Sequence, residues 1–457
     1  MSESYETLLQ MQKDYFYSGE TKDIHFRIKQ LKKLKKALKA NEKQIGEALR
    51  KDLNKSDFEA YLTELGVLYN EISETVKHVK SWAKPRKVKT PMTHVGSGSY
   101  IYPEPYGVSL IISPWNYPVN LTIAPLIGAM AAGCCAVIKP SELTPHTSAI
   151  LTHILQKTFE ERYIAVVEGD VETSKALLAL KFDHIFFTGS VAVGKVVMEA
   201  AAKNLTPITL ELGGKSPTIV HKDAKLDVAA KRIVWGKFTN AGQTCVAPDY
   251  LLVHRSIKEQ FLDKLTQQIK EQFGEDVSRN SDFPMVVNER HFDRLTNYMK
   301  DGTIIFGGRS IKERRFIEPT ILENVSLDSA VMQEEIFGPI LPVFEYETEK
   351  EVIEMVRKRP NPLALYLFTE NKKTEQHIIT HISFGGGCIN DVVYHVGSSQ
   401  LPFGGVGSSG MGAYHGKYSF DAFSHDKGVL HQSTKMDIPF RYHNTKGGLS
   451  ILRRLIK

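Results

Sequence analysis

The chain has 457 residues, with 58 lysines and arginines against 52 aspartates and glutamates, for a net charge of +6. Hydrophobic residues make up 42% and charged residues 24%, which is ordinary globular usage and excludes a disordered chain. So mild a charge does not point to nucleic acid as a partner. At about 150 residues per domain the length suits roughly three domains. The four cysteines, Cys134, Cys135, Cys245 and Cys388, form no CxxC pair. They make neither a disulfide framework nor a zinc signature and suit a reducing compartment. The start, MSESYETLLQMQKDYF, is too polar for a secretory signal, so a cytoplasmic location is expected.

The first 80 or so residues read as helices. Within 28–53, Leu31, Leu34, Leu38, Ile45 and Leu49 recur near helical spacing, and the many lysines between them form a solvated face. Residues 83–103 alternate Pro, Thr, Gly and Ser with apolar and basic residues, the pattern of extended strands or a linker. Pro105 to Ile138 carries no charge. Its prolines and glycines argue against a membrane span and for a strand, a turn, a buried helix and a second strand.

A rhythm of short apolar runs follows: VSLII (108–112), AVI (136–138), IAVVE (164–168), HIFFT (184–188) and ITLEL (208–212), with helix-compatible segments between them. This predicts a doubly wound parallel sheet, an architecture that binds ligands beyond the carboxyl ends of its strands. The alternation restarts at PTIVH. A helix over 225–239, the strand YLLVHR, a helix over 256–271, the strand PILPVFEY, a helix near 349–357 and the strand LALYLF make a second α/β domain. The end, GGLSILRRLIK, is a basic, apolar-spaced tail that caps the fold, covers a site or touches a membrane surface.

Two glycine motifs are weak. Gly189-Ser190-Val191-Ala192-Val193-Gly194-Lys195 fits the P-loop spacing, but Val196 stands where a magnesium-binding hydroxyl is required. That leaves a phosphate-binding turn at a helix N-terminus. Gly405 to Gly410 fits GxGxxG but follows no strand, and reads as a turn or hinge.

Five short segments carry chemistry or its bland counterpart. Cys245 lies in a glycine-containing loop, where a thiol can be activated; Cys134 and Cys135 read as core, and Cys388 as packing in a tight turn. Glu211 closes a strand at the ligand end of the sheet, and is either a functional acid or the partner of Lys215. Asn116, after Trp115, can donate to an oxyanion or simply form a turn. Glu142 near the second strand end suits the ribose hydroxyls of NAD, while Lys139 leaves NADP open. Glu334 and Glu335 read as a solvated pair or as a site beside Phe337.

Together, PWNYP, KPSE, FFTGSxxVGK, ELGGKSP, GQTC, EEIFGP and LPFGG stand in an order that strongly resembles the NAD(P)-dependent aldehyde dehydrogenase superfamily over about residues 20 to 430. GQTCVAPDY and GMGAYHGKYSFDAFSH resemble most its class 3 branch, which includes fatty aldehyde dehydrogenases. The resemblance implies an α/β fold with a Rossmann-type cofactor domain (1–82 and 104–210), a catalytic domain (211–402), a small β bridging element (83–103 with 418–430) and a tail (431–457). It implies Cys245 as nucleophile, Asn116 as oxyanion donor and Glu211 as general base. Trp115, Lys139, Glu142, Gly189, Ser190, Val191, Ala192, Val193, Gly194, Glu335 and Phe337 would bind NAD or NADP, and no metal is needed. A homodimer is expected, with peripheral membrane contact through a tail too short to span a bilayer. Rival readings are a coenzyme A-acylating aldehyde dehydrogenase, a P-loop nucleotide hydrolase, and a non-catalytic binding protein on the same fold.

Overall fold

A computed structural model describes residues 2–438 and 441–455. The last two residues of the basic tail, Ile456 and Lys457, lie outside the described residues.

Leu31, Leu34, Leu38, Ile45 and Leu49 are all fully buried, and Lys32, Lys33, Lys36, Lys39 and Lys43 face solvent. The apolar stripe is continuous although the helix is not. It runs through Ile24–Ala40 and Glu42–Leu53, which are separated at Asn41, where the backbone leaves the helical region (φ −116°, ψ 15°). Asp23 caps the first of these helices by accepting from the Phe26 N–H at 2.7 Å.

The predicted parallel sheet forms from the predicted segments. Its order is Gly410–Met411, Ile208–Glu211, His184–Thr188, Val108–Ile112, Cys135–Lys139 and Ile164–Val166, and only the first of these is antiparallel to its neighbour. Chain order reverses between Val108–Ile112 and His184–Thr188, so a crevice opens there beyond the strand ends. The uncharged stretch contains the helix Asn120–Ala132, buried throughout from Leu121 onward, which is why it needs no charge. Pro125 does not break this helix. It stands inside the helix at its sixth residue and forfeits one bond, to the Leu121 carbonyl, while the buried turns on either side continue. Among the described residues no helix is long and apolar enough to cross a membrane.

A second, seven-stranded sheet runs Thr303–Phe306, Thr320–Glu323, Ile340–Tyr346, Tyr250–His254, Pro217–Val220, Ala364–Phe368 and Gly386–Ile389, parallel except at the Thr303–Phe306 edge. The helices Leu226–Phe238, Lys258–Phe273 and Glu349–Arg357 match the sequence reading to within two residues at each end. Cys134 and Cys135 are core, as expected. Cys388 is not in a tight turn: it lies in the edge strand Gly386–Ile389, opposite Tyr366, with its sulfur 3.4 Å from His395 Nδ1.

Ser97–Pro105 pairs along its whole length with Ser424–Gln432, and Arg86–Val88 adds a third strand. The partner strand therefore begins later than 418. Lys417–Ala422 is helical, because its buried Ser419 and Phe420 pack against the Asn120–Ala132 helix, where Gly128 leaves room for Ser419. The GxGxxG segment is a tight turn packed on the sheet edge. Gly410, at φ +151°, pairs with Glu211, and a Cβ on it would stand 2.4 Å from the Leu210 carbonyl oxygen.

Candidate active site

Four strand ends deliver the predicted polar residues to one crevice. Val108–Ile112 leads into Trp115 and Asn116, Cys135–Lys139 ends at Lys139, His184–Thr188 runs into Gly189, and Ile208–Glu211 ends at Glu211. The Gly189 N–H donates to the Glu211 carbonyl at 3.0 Å, so the glycine turn and the acid are adjacent.

Glu211 is 3% exposed, and neither carboxylate oxygen has a hydrogen-bond partner. Burial alone drives its pKa well above the usual carboxylate range. Lys215 is not its partner. That ammonium pairs with Asp249 and donates to the carbonyls of Val331 and Glu334 at 2.9 Å each. Asp249 in turn accepts from the Ile336 N–H at 2.9 Å, so Lys215 and Asp249 together pin the Glu334–Pro339 turn. Within that turn Glu334 is exposed, while Glu335 folds inward against the backbone of Gly213, where any Cβ would stand 2.0 Å from its carboxylate. Glu335 Oε1 is sealed from solvent without a partner. The pair is thus one solvated acid and one site-facing acid. Phe337 holds a left-handed backbone (φ +52°) and meets the edge of Trp115, ring centroids 5.2 Å apart.

Cys245 is half-buried, five residues before the strand Tyr250–His254 begins. Burial raises its thiol pKa, and the negative charges of Glu335 and then Glu211 raise it further. The backbone N–H groups of Cys245 and Val246 act in the opposite sense, because they face the sulfur and favour negative charge there. The resting thiol therefore carries its proton and needs a base. Asn116 is 3% exposed and its Nδ2 donates to the Gln243 carbonyl at 3.1 Å. One N–H of that amide is thereby fixed and the second is left for a ligand.

The glycine turn is shallow and exposed. Ser190 caps the twelve-residue helix Val191–Ala202, accepting from the Val193 N–H at 3.4 Å, and Gly194 packs on Leu212. Val191 is half-buried, Ala192 and Val193 are exposed, and so is Val196. Lys139, 3% exposed, pairs at 2.7 Å with the more exposed Glu142. A helix N-terminus, an exposed carboxylate and an aromatic pair around one crevice at the reversal of strand order fit a dinucleotide. Among the described residues no cluster of three or more His, Cys, Asp and Glu could hold a metal.

Residues 3–429 match the model of the aldehyde dehydrogenase family. The chain belongs to that family. It is 48% identical to the 4,4'-diaponeurosporen-aldehyde dehydrogenase of Staphylococcus aureus, over 97% of each chain. It is 45% identical to the dimeric NADP-preferring aldehyde dehydrogenase of Rattus norvegicus, over 92% of this chain and 93% of that one. Among solved structures it matches the substrate-bound state of Staphylococcus aureus AldH with a TM-score of 0.97 and 48% identity, over 99% of each. As an aldehyde dehydrogenase it is an oxidoreductase acting on the aldehyde group with NAD or NADP, and the nucleotide hydrolase and the non-catalytic binding protein fall away.

Sequence reasoning missed one site-facing group of this aldehyde dehydrogenase. Lys237 is fully buried, and its Nζ has no hydrogen-bond partner. Burial lowers its pKa to about 8, while Asp249 and Glu335 oppose the fall. Its position was a signal: it lies three and four residues after Val234 and Ile233, on the buried face of its helix.

Proposed function

We propose that this aldehyde dehydrogenase oxidises medium- or long-chain aliphatic or aromatic aldehydes to carboxylic acids, using NAD with NADP also admitted, through Cys245 as nucleophile. The observation that carries this reading is a half-buried thiol beside the buried Glu211, whose two carboxylate oxygens both lack partners, and the inward-facing Glu335.

Glu211 takes the thiol proton. Burial that raises a carboxyl's pKa also makes its carboxylate a better base, and so better suited to take a proton from a thiol. The sulfur adds to the aldehyde carbon, and the carbonyl oxygen gathers negative charge. The free N–H of Asn116 and the backbone N–H of Cys245 receive that charge, forming the oxyanion hole. The bound nicotinamide supplies the hydride acceptor that turns the thiohemiacetal into a thioester. After passing that proton to solvent, Glu211 deprotonates the water that releases the acid and returns this second proton to the departing thiolate, so aldehyde, water and oxidised cofactor give acid, reduced cofactor and a proton. In binding the cofactor, Glu335 would hold the nicotinamide ribose, and Phe337 and Trp115 would offer apolar surface to the ring. The turn of Gly189, Ser190, Val191, Ala192, Val193 and Gly194 would meet the phosphates at its helix N-terminus, and Lys139 and Glu142 would take the adenosine ribose.

Asn116→Ala is expected to lower kcat by about 10²- to 10³-fold while leaving cofactor affinity near wild type, read by steady-state kinetics and nucleotide titration. A homodimer joined through the sheet of Ser97–Pro105 and Ser424–Gln432 fits the long, half-exposed strands there. A cytoplasmic location is our reading from the four cysteines, all of them free. Contact with a membrane surface would fall to the Gly448–Leu455 helix, where Leu449 and Ile451 are exposed beside Arg453 and Arg454.

Formation of reduced nicotinamide from NAD and a medium-chain aldehyde, without coenzyme A, tests the reading. Equal amounts of carboxylic acid are expected. Turnover that requires coenzyme A would replace water as acyl acceptor and leave Glu211 without its second role.

A further inference from the structure

Three consecutive residues before the thiol, Asn240, Ala241 and Gly242, have positive φ (52°, 51° and 74°). Two of them are not glycine, and such a backbone persists only where its surroundings over-determine it. The group that holds it from outside is Glu59, whose Oε1 accepts from the Asn240 N–H at 2.8 Å. Asn240 then passes the constraint on, donating from Nδ2 to the carbonyls of Asn116 at 2.8 Å and Gln243 at 3.2 Å. Gln243 is fastened in its turn: its Nε2 donates to Met285 O at 3.0 Å and its Oε1 accepts from Val287 N at 3.0 Å.

The other end of the same assembly is tied to the same segment. Lys55 is fully buried, donates to Glu64 Oε1 at 2.6 Å and reaches the Asn116 carbonyl at 3.0 Å. Glu64, also fully buried, accepts from the N–H groups of Val119 and Asn120 and so fixes the start of the helix that follows Asn116. Just after Glu59 the chain makes a single π-helical turn, Tyr61–Leu65, which carries Glu64; such an irregularity often marks a functional site. Burying an ammonium and a carboxylate gains little stability by itself, so this ion pair calls for another role.

We propose that Glu59 and Lys55 are positioning residues for the aldehyde chemistry. From residues 55–65, a segment that supplies none of the reacting groups, they hold the left-handed turn at 240–242 and the Asn116 backbone in one frame. The Cys245 thiol and the Asn116 amide then face the same carbonyl. The inference rests on the assignment of Cys245 and Asn116 made above.

The test is steady-state kinetics and Cys245 alkylation by iodoacetamide in Glu59→Ala, Glu59→Gln and Glu59→Asp, with Cys245→Ala alongside. Glutamine keeps an acceptor oxygen at the same reach, alanine removes it, and aspartate withdraws it by one methylene. Glu59→Ala is expected to lose about 10- to 100-fold in kcat, the scale of a small misplacement of reacting groups, with KM for the cofactor unchanged and an altered alkylation rate. Glu59→Gln should restore most of the loss. If the alanine variant does not fold, the aspartate and glutamine pair carries the comparison. Wild-type kcat in folded Glu59→Ala, or in Glu59→Asp, overturns the positioning role. Retained turnover in Cys245→Ala would instead overturn the assignment of the nucleophile.

Discussion

Cys245→Ala is expected to abolish aldehyde oxidation, with a loss on the order of 10⁴-fold or more, while NAD binding stays close to wild type. The size follows from the position of the thiol. It is the one cysteine beside Glu211 and Glu335 of the crevice; Cys134 and Cys135 are sealed in the core, and Cys388 lies at the edge of the second sheet beside His395. The cofactor's proposed contacts come from other elements, so removing one sulfur leaves them in place. Because the thiol is protonated at rest, its alkylation by iodoacetamide should be slow at neutral pH and rise with pH in the wild type. Mass spectrometry would place that label on Cys245. Turnover at the wild-type rate in the alanine variant removes the cysteine from the chemistry.

The alternation of strands and helices was legible because fully buried parallel strands read as short apolar runs, and all five of the first sheet's parallel strands did. Local motif order carried the family. What pattern could not show was which side chains share a space. Lys215 stands four residues from Glu211 and looks like its partner, yet the chain turns it towards Asp249, just before a strand of the second sheet. Glu334 and Glu335 are indistinguishable as letters, and only the turn pinned by Lys215 and Asp249 sends one outward and one inward. Glu59 and Lys55 lie in an N-terminal segment whose periodicity speaks only of helix. Their hydrogen bonds reach across 181 and 61 positions of chain, a separation no spacing rule spans. The helix at Lys417–Ala422 was missed for the same reason, since the surface that buries it belongs to a helix nearly 300 residues earlier.

Glu211→Gln separates catalysis from stability, and the two effects are expected to have opposite signs. Glutamine has the shape of the acid and cannot take a proton, so kcat should fall by about 10²- to 10⁴-fold, the usual worth of a general base. A pre-steady-state burst of reduced nicotinamide followed by slow turnover would locate the loss in acyl release; no burst would locate it in thiol activation. The wild-type rate should climb with pH along a limb lying above the ordinary carboxylate value of 4.5, as Glu211 loses its proton, and the variant should lack that limb. Stability runs the other way. With the folded pKa raised, the folded state binds a proton that the unfolded state has already lost at any pH between 4.5 and the folded value. Wild-type stability therefore falls with rising pH across that window, and glutamine removes the fall. The cofactor-free variant should melt with the wild type near pH 4 and above it near pH 8. An equal melting temperature at both pH values would mean that Glu211 ionises in the fold as easily as in the unfolded chain. A wild-type pH–rate profile in the variant would show that another group takes the proton. The predicted signature is thus a variant that is more stable than the wild type at neutral pH and slower by orders of magnitude, because the same burial that makes the carboxylate costly to the fold makes it a base strong enough for a thiol.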